Sequence, residues 1–385
     1  MKKLTDLWKL LAISVLLVLF CASGAVAEAA TCGESGYKLG TFLDKPACVN
    51  EAGALHICAG NFDPEVVTYF EALYPDGVIT EAESWNVGEV DLRGKKKMKS
   101  VRGLELFPDL WKLYISDTAV SEIDFKQFPA MLYFDCSRTP ITKLDFSPVP
   151  EIKGAEDCHG ALTELILTGC NKLEFGIFEE NEIPSVDLTD CTSLTEFSCY
   201  HNPIYTIDVS KNTKLKTLNC GMSGISTLDV SMCPDLENLY CANAELTSVN
   251  IQNCNKLEVL QLAGDNNELT ELDVRHCKNL SELYVSYNAL TELDLQYCEN
   301  LATLEVDMNK LKELDVSQCK ELTSLSCCSN ELETIDLSGL IHLHDFYCSG
   351  NKKLQKLDLS DACQLFRLHC SNTGIQDLIL SGNTW

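Results

Sequence analysis

Beyond residue 27 the sequence has no apolar run long enough to cross a bilayer. It also lacks the short motifs of the common catalytic machineries. There is no H-E-x-x-H, no G-x-S-x-G and no glycine-rich phosphate loop, which argues against zinc peptidases, serine hydrolases of the nucleophile-elbow type and nucleotide-binding folds. None of the 21 cysteines forms a C-x-x-C pair, and the seven histidines are scattered, so neither zinc nor any other cofactor is expected. Positive charge is scarce: 30 Lys and Arg stand against 57 Asp and Glu, a formal net charge of -27. Such a chain repels nucleic acid and anionic lipid. A cationic partner fits it, and so does simple solubility.

At the N-terminus Lys2, Lys3 and Lys9 adjoin an apolar run from Leu10 to Phe20, followed by small residues ending Ala25-Val26-Ala27. This reads as a secretory signal peptide over residues 1–27, placing the protein outside the cell or on its surface. A lipoprotein alternative would lipidate Cys21, but Phe20 stands where a small residue is needed. No membrane insertion of the remainder is expected.

The rest of the chain repeats itself. The segment Leu215, Leu218, Cys220, Ile225, Leu228, Val230, Cys233 recurs 21 residues on as Leu236, Leu239, Cys241, Leu246, Val249, Ile251, Cys254. The unit L-x-x-L-x-C-x-x-N-x-L-x-x-L-D-V-S-x-C occurs thirteen times between Leu110 and the C-terminus, with small insertions after Leu257 and Leu343. The stretch L-x-x-L-x-C alternates with period two, a short strand with one buried face. One unit cannot bury that face alone, but a stack of units can, as a parallel sheet over a continuous core. The second apolar group lines the opposite wall, where 21 residues leave room only for extended or 3₁₀ turns. Asn181, Asn202, Asn288, Asn309, Asn330 and Asn351 share one place in the unit, and Asn267 fills it past an insertion. A buried amide there satisfies the backbone of sharply bent turns. Thr118, Thr139, Ser223 and Thr373 are weaker substitutes. Gly160 and Ala244 offer nothing, so their turns are expected to be the loosest. A recurring aspartate on the far wall, from Asp124 to Asp358, is expected to cap local turns.

Fourteen cysteines fall on two ladders. Cys136, Cys199, Cys220, Cys241, Cys327, Cys348 and Cys370 share the strand anchor. Cys170, Cys191, Cys233, Cys254, Cys277, Cys298 and Cys319 share the far-wall anchor. Aliphatic residues hold these places in other units, which makes them core positions. Adjacent strands lie about 4.8 Å apart, too far for in-register cysteines to bridge, so buried thiols are expected. Cys158, Cys328 and Cys363 fall off the ladders. Among Cys32, Cys48 and Cys58 one bridge is possible, Cys48–Cys58 being one alternative; the spacing does not decide it.

The 21-residue, cysteine-bearing unit resembles the repeat of bacterial leucine-rich-repeat surface proteins of the internalin J type. The resemblance covers roughly residues 110–385. It implies a right-handed curved solenoid of α/β type dominated by β structure, with short parallel strands on the concave face, and a role in recognition, often adhesion. The preceding segment, residues 63–109, resembles the helical cap of such proteins, with Asp63 as N-cap, Pro64 at the first helical position, and an irregular first repeat. Residues 28–62 are read as a partly ordered N-terminal segment. In some relatives a calcium loop occupies the cap; here Gly77, Ile79 and Glu83 match it, but Ala72 and Tyr74 stand in place of its first ligands. Lys95, Lys96, Lys97 and Lys99 read as a solvated turn.

The outward strand residues are free of the core, and their identities carry the functional reading. Tyr114 and Tyr133, and then Tyr200, His201, Tyr240, Glu282, Tyr284, Tyr287, Glu305, Asp307, Met308, Asp345 and Tyr347, are expected to stand out of the sheet, as on recognition surfaces. The reading is a non-catalytic binding protein that takes a protein or glycan ligand on this face. The alternative is an assembly protein forming a homodimer through the C-terminal edge, with Trp385 as a possible cover. Cys158 and His159 are neighbours in sequence and point to opposite faces, so they do not make a nucleophile–base pair.

Overall fold

The structure, a computed structural model, describes residues 38–380. The leader, Cys21, Cys32 and Trp385 lie outside the described residues. The chain divides into two compact units.

The first unit holds residues up to Gly88 and Lys97–Leu110. Four short antiparallel strands, Lys38–Phe42, Lys45–Val49, Leu55–His56 and Val78–Ile79, pair in sequence order. The sequence gives no warning of the first three, which are brief and lack alternation. The Asn61 side chain ties the second to the third, accepting from Cys48 N at 2.7 Å and donating to Cys48 O and His56 O. The helix Pro64–Leu73 starts as its sequence predicts: the Asp63 side chain accepts from Glu65 N, and Pro64 follows directly. Its buried face carries Phe70, packed against Phe62 and Phe107 with ring centroids 5.4 and 4.9 Å away. Glu83, which would close a calcium loop, instead completes a capping box with Thr80. Cys48 is in a disulfide, whereas Cys58 is a free, half-buried thiol, so the Cys48–Cys58 bridge is not formed.

The second unit, Glu89–Lys96 and Trp111 onward, is a solenoid. Fourteen three-residue strands, from Glu89–Asp91 to Arg367–His369, form one parallel sheet in sequence order. Thirteen belong to the repeated units and one to the irregular repeat before them. Register is strict, with Leu239 opposite Leu260 and Leu283 opposite Leu304. The middle residue of each strand points into the core, and the leading leucines lie beneath with no solvent exposure. The far wall is extended, with one 3₁₀ turn at Phe125–Gln127 and three two-stranded parallel bridges. Among the described residues no helix is long and apolar enough to cross a membrane.

The asparagines join turn to turn. Asn330 Oδ1 accepts from Leu311 N at 3.0 Å, and its amide donates to Val306 O at 2.9 Å and to Cys327 O in its own turn. Asn181, Asn202, Asn309 and Asn351 repeat the pattern. Each amide reaches one turn back. That is why the turns at Gly160 and Ala244 are not left open, contrary to the sequence expectation. Asn181 takes Leu162 N and Asp157 O, and Asn267 takes Ala244 N, Leu246 N and Cys241 O.

The ladder cysteines are buried free thiols, apart from Cys370, which is half-buried in the last described turn. Even the nearest pair, Cys220 and Cys241 with sulfurs 2.9 Å apart, is unbridged. On the far wall the thiols do more than fill space. Cys233 Sγ lies 3.7 Å from Val209 O and Cys254 Sγ 3.4 Å from Val230 O, as weak donors to the preceding turn. Where the unit carries Asn212 instead, its amide bonds Leu188 O and Cys191 O, the carbonyls in the same relation. All ten far-wall aspartates behave as expected: Asp208 and Asp315, for example, accept from the backbone N–H two residues on, which holds both carboxyls below the usual range.

Replacing Asn330 by alanine orphans the buried Leu311 N–H and strips a donor from three carbonyls, those of Val306, Cys327 and Cys328. The expected loss is about 1–3 kcal/mol, read as a lower urea midpoint. Asn300→Ala, which removes one exposed bond, should change it by no more than about 0.5 kcal/mol.

Candidate functional site

Each solenoid turn presents four outward positions. Two are the strand residues flanking the buried middle one, and two follow the next buried anchor. In the turn at Glu282 these are Glu282, Tyr284, Ser286 and Tyr287. Successive turns align them in columns, so that Tyr240, Gln261, Tyr284, Glu305, Ser326 and Tyr347 stand opposite one another in register. All six but Ser326 are half-buried between neighbours.

Ten of the thirteen residues selected from the sequence lie in the first three columns: Tyr114, Tyr133, Tyr200, Tyr240, Glu282, Tyr284, Glu305, Asp307, Asp345 and Tyr347. The other three are His201, Tyr287 and Met308. They occupy the fourth column, where the backbone turns off the sheet in the left-handed region, with φ of 54°, 61° and 55°. The reason is the ladder itself: His201 N bonds Gly221 O, Tyr287 N bonds Asp307 O and Met308 N bonds Cys328 O, each in the following turn, and only this turn geometry aims the N–H there. The side chains of this column form an exposed margin along the sheet; Met222, Tyr287 and Met308 are 42–47% exposed.

The third column supplies hydrogen-bond acceptors. Ser137 Oγ accepts from Cys158 N, Ser286 Oγ from Asp307 N, and Asp307 Oδ1 from Cys328 N at 2.6 Å. Asp307 also accepts from Ser326 Oγ. These bonds fix its carboxylate before any ligand arrives. Glu282 is fixed by Tyr284 Oη, which donates to it at 2.8 Å. Burial and this acidic neighbour push the Tyr284 hydroxyl up to about 12. Burial, reinforced by Asp307, raises the Glu305 carboxyl, and burial raises that of Asp307 against the pull of its Ser326 and Cys328 bonds.

Reading the columns by charge shows what a residue-by-residue search missed. From the strand Gly154–Glu156 to the strand Asp345–Tyr347, ten turns, the outward positions hold eight carboxylates and no lysine or arginine. Basic residues of the face lie at its two ends, as Arg93, Lys112 and Arg138 before this stretch and Arg367 after it. The first end is also aromatic. Arg93 and Lys112 lie over the Tyr114 ring at 4.8 and 4.9 Å, and Tyr133 packs on Phe175 with centroids 6.2 Å apart. Gly154 allows this, because a Cβ there would lie 2.1 Å from the Phe175 ring.

Nothing on the face resembles an activated nucleophile. Burial pushes the Cys158 thiol up to about 11 and raises that of Cys328. His159 turns away from Cys158 to Glu180, at 2.7 Å. Among the described residues no group of three His, Cys, Asp or Glu side chains is placed to hold a metal ion.

Directly beneath the face one core anchor is acidic. Asp157 occupies the strand-anchor position with no solvent exposure, and neither carboxylate oxygen reaches full hydrogen-bond geometry with any group, although the Cys136 thiol and the Asn181 side chain lie beside it. Both lie over Gly160, within 2.7 Å of where a Cβ would sit, so the carboxylate fills the space left where the unit has no asparagine. Burial raises its carboxyl to about 7; Asp135 adds to this, and Cys136 and Asn181 oppose it.

The fold and face define a leucine-rich-repeat solenoid. Among solved structures it is similar to the functional domain of InlJ from Listeria monocytogenes, which includes a cysteine ladder (24% identity, 83% of this chain and 69% of that one, TM-score 0.50). It is also similar to the internalin InlF of the same organism (17% identity, 83% and 95%, TM-score 0.62). A chain of the Toll–Spätzle complex of Drosophila is a third (19% identity, 70% and 41%, TM-score 0.57). No family model matches the sequence, and no curated protein matches it.

The Asp157 carboxyl is raised above its unfolded value, so its contribution to stability is complete below about pH 4 and is lost as pH rises through about 7. Asp157→Asn should therefore leave the melting temperature at pH 4 nearly unchanged and raise it at pH 8. The gain at the upper end is at most about 4 kcal/mol. Thermal melts across that range check it, and equal effects at both ends would refute it.

Proposed function

We propose that this is an exported, non-catalytic recognition protein whose ligand, a protein, seats on the outer face of the long sheet. The observation that carries the reading is the tyrosine column. Tyr240, Tyr284 and Tyr347 hold one register on a sheet whose backbone is tied turn to turn, and each leaves part of its ring open. Large, rigid, amphipathic side chains on a preformed scaffold favour binding, because little conformational freedom is lost when a partner arrives. The signal-peptide reading of residues 1–27 supports placement outside the cell, and the resemblance to internalins supports adhesion or cell-surface contact. The Drosophila chain of the same fold is found in a protein complex.

The test compares the unaltered chain with Tyr284→Ala plus Tyr287→Ala for binding to intact cells and to proteins extracted from their surfaces. Binding should fall by at least about tenfold, two lost aromatic contacts exceeding 1.4 kcal/mol, with an unchanged melting temperature. Light scattering on the same samples reads the assembly alternative: a mass that grows with concentration in both chains, with no loss of cell binding in the variant, would replace recognition by self-association.

A further inference from the structure

The ligand's chemistry can be read from the same face. Resting on the recognition reading above, we infer that the ligand is a basic, partly apolar polypeptide segment. Its arginine or lysine side chains lie among Glu282, Glu305 and Asp307, and its apolar side chains lie against Tyr287 and Met308.

Three observations carry this. The first is charge. The three carboxylates stand on two adjacent turns around Tyr284, and none is paired with a cation; no lysine or arginine occupies an outward position within the ten turns around them. Like charges held side by side on a half-buried surface repel one another, and burial adds to the cost. Cations brought by a partner relieve both, and complementarity of this kind selects the partner and speeds its arrival.

The second is preorganisation. Asp307 is held by Ser326 Oγ and Cys328 N, and Glu282 by Tyr284 Oη. A carboxylate has about four acceptor sites, so these bonds leave each group capacity for a guanidinium or ammonium. The Tyr284 ring lies between them, a surface on which a cation also gains from the ring's negative face.

The third is the margin. Tyr287 and Met308 are each 47% exposed in a left-handed backbone conformation. That conformation costs a non-glycine residue roughly 1 kcal/mol or more, and the same column elsewhere uses the better-suited Asn243, Gly350 and Asn372. Two large apolar side chains kept exposed at a strained position, directly beside the acidic strip, fit contact with apolar groups of the same ligand. A nucleic acid or an anionic bilayer is excluded by the sign of the charge, and a purely cationic small molecule would leave the margin uncovered.

The probe is a short fluorescent peptide alternating arginine with leucine, titrated into the full chain at two salt concentrations. A glutamine–leucine analogue and spermine are the comparisons. Two variants remove equal charge. Glu282→Gln with Glu305→Gln and Asp307→Asn neutralises the face, and Asp294→Asn with Asp315→Asn and Asp336→Asn neutralises the far wall while keeping its turn acceptors. The face variant should weaken the arginine peptide by at least about tenfold and flatten its salt dependence, and the far-wall variant by less than about twofold. Tyr287→Ala with Met308→Ala should weaken it at both salt concentrations alike. Equal losses in the two charge variants, equal binding of the glutamine analogue, or spermine binding as tightly as the peptide would each overturn the proposal. If the peptide fails while Tyr284→Ala plus Tyr287→Ala still abolishes cell binding, the sheet face remains the recognition surface and only the basic partner is refuted.

Discussion

The solenoid depends on one constraint: a strand that ends inside a stack must turn, and the backbone polar groups of that turn are buried. Water cannot reach them, so each needs a partner from within. The side-chain amide of asparagine offers a donor and an acceptor together, and seven turns of this chain use it to join a turn to the one before it. On the opposite wall cysteine thiols, or Asn212 in one unit, donate to the equivalent carbonyls. Leucines fill the core between these two rows. Hydrophobic burial supplies the drive to stack, and the polar rungs fix the spacing at which stacking occurs.

Two exceptions show how tightly space is accounted for. Where a turn has Gly160 in place of asparagine, the acidic side chain of Asp157 swings into the gap, and the neighbouring Asn181 still closes the backbone. Where the strand has Gly154, an aromatic ring from the next turn lies over it. In both cases a missing side chain is replaced from elsewhere in the stack, once by a charge that the core tolerates poorly and once by a ring that reaches the surface.

Periodicity made most of the fold legible. Strands, core leucines, far-wall aspartates, the rung asparagines and the helix start at Asp63 all follow from local pattern and spacing, because each is dictated within one unit. What was not legible crosses units. That Asn267 would serve the turn of Ala244 depends on which direction the amide points. That His201, Tyr287 and Met308 leave the sheet depends on a backbone turn which the period-two pattern does not register. The short strands at Lys38–Phe42 and Lys45–Val49 have no repeat to announce them, and the Cys48 disulfide cannot be inferred from spacing. On the candidate face, individual tyrosines and carboxylates were visible in the sequence. The absence of any cation over ten turns was equally available, but it emerges only when residues are read down a column rather than along the chain.

The rungs are directional, and this bears on how such a chain is made and modified. Because every rung amide points back one turn, a turn followed by an asparagine unit is sealed by its successor. During synthesis only the newest turn stands open at any moment, and its closure awaits about twenty more residues. Removing one whole unit brings an equivalent amide against the preceding turn, so the interior stays sealed. Removing part of a unit displaces the amide from the carbonyl it should meet and unseals the turn before it. Lengthening or shortening by complete repeats is therefore the natural way for the recognition face to change its reach while the interior stays the same.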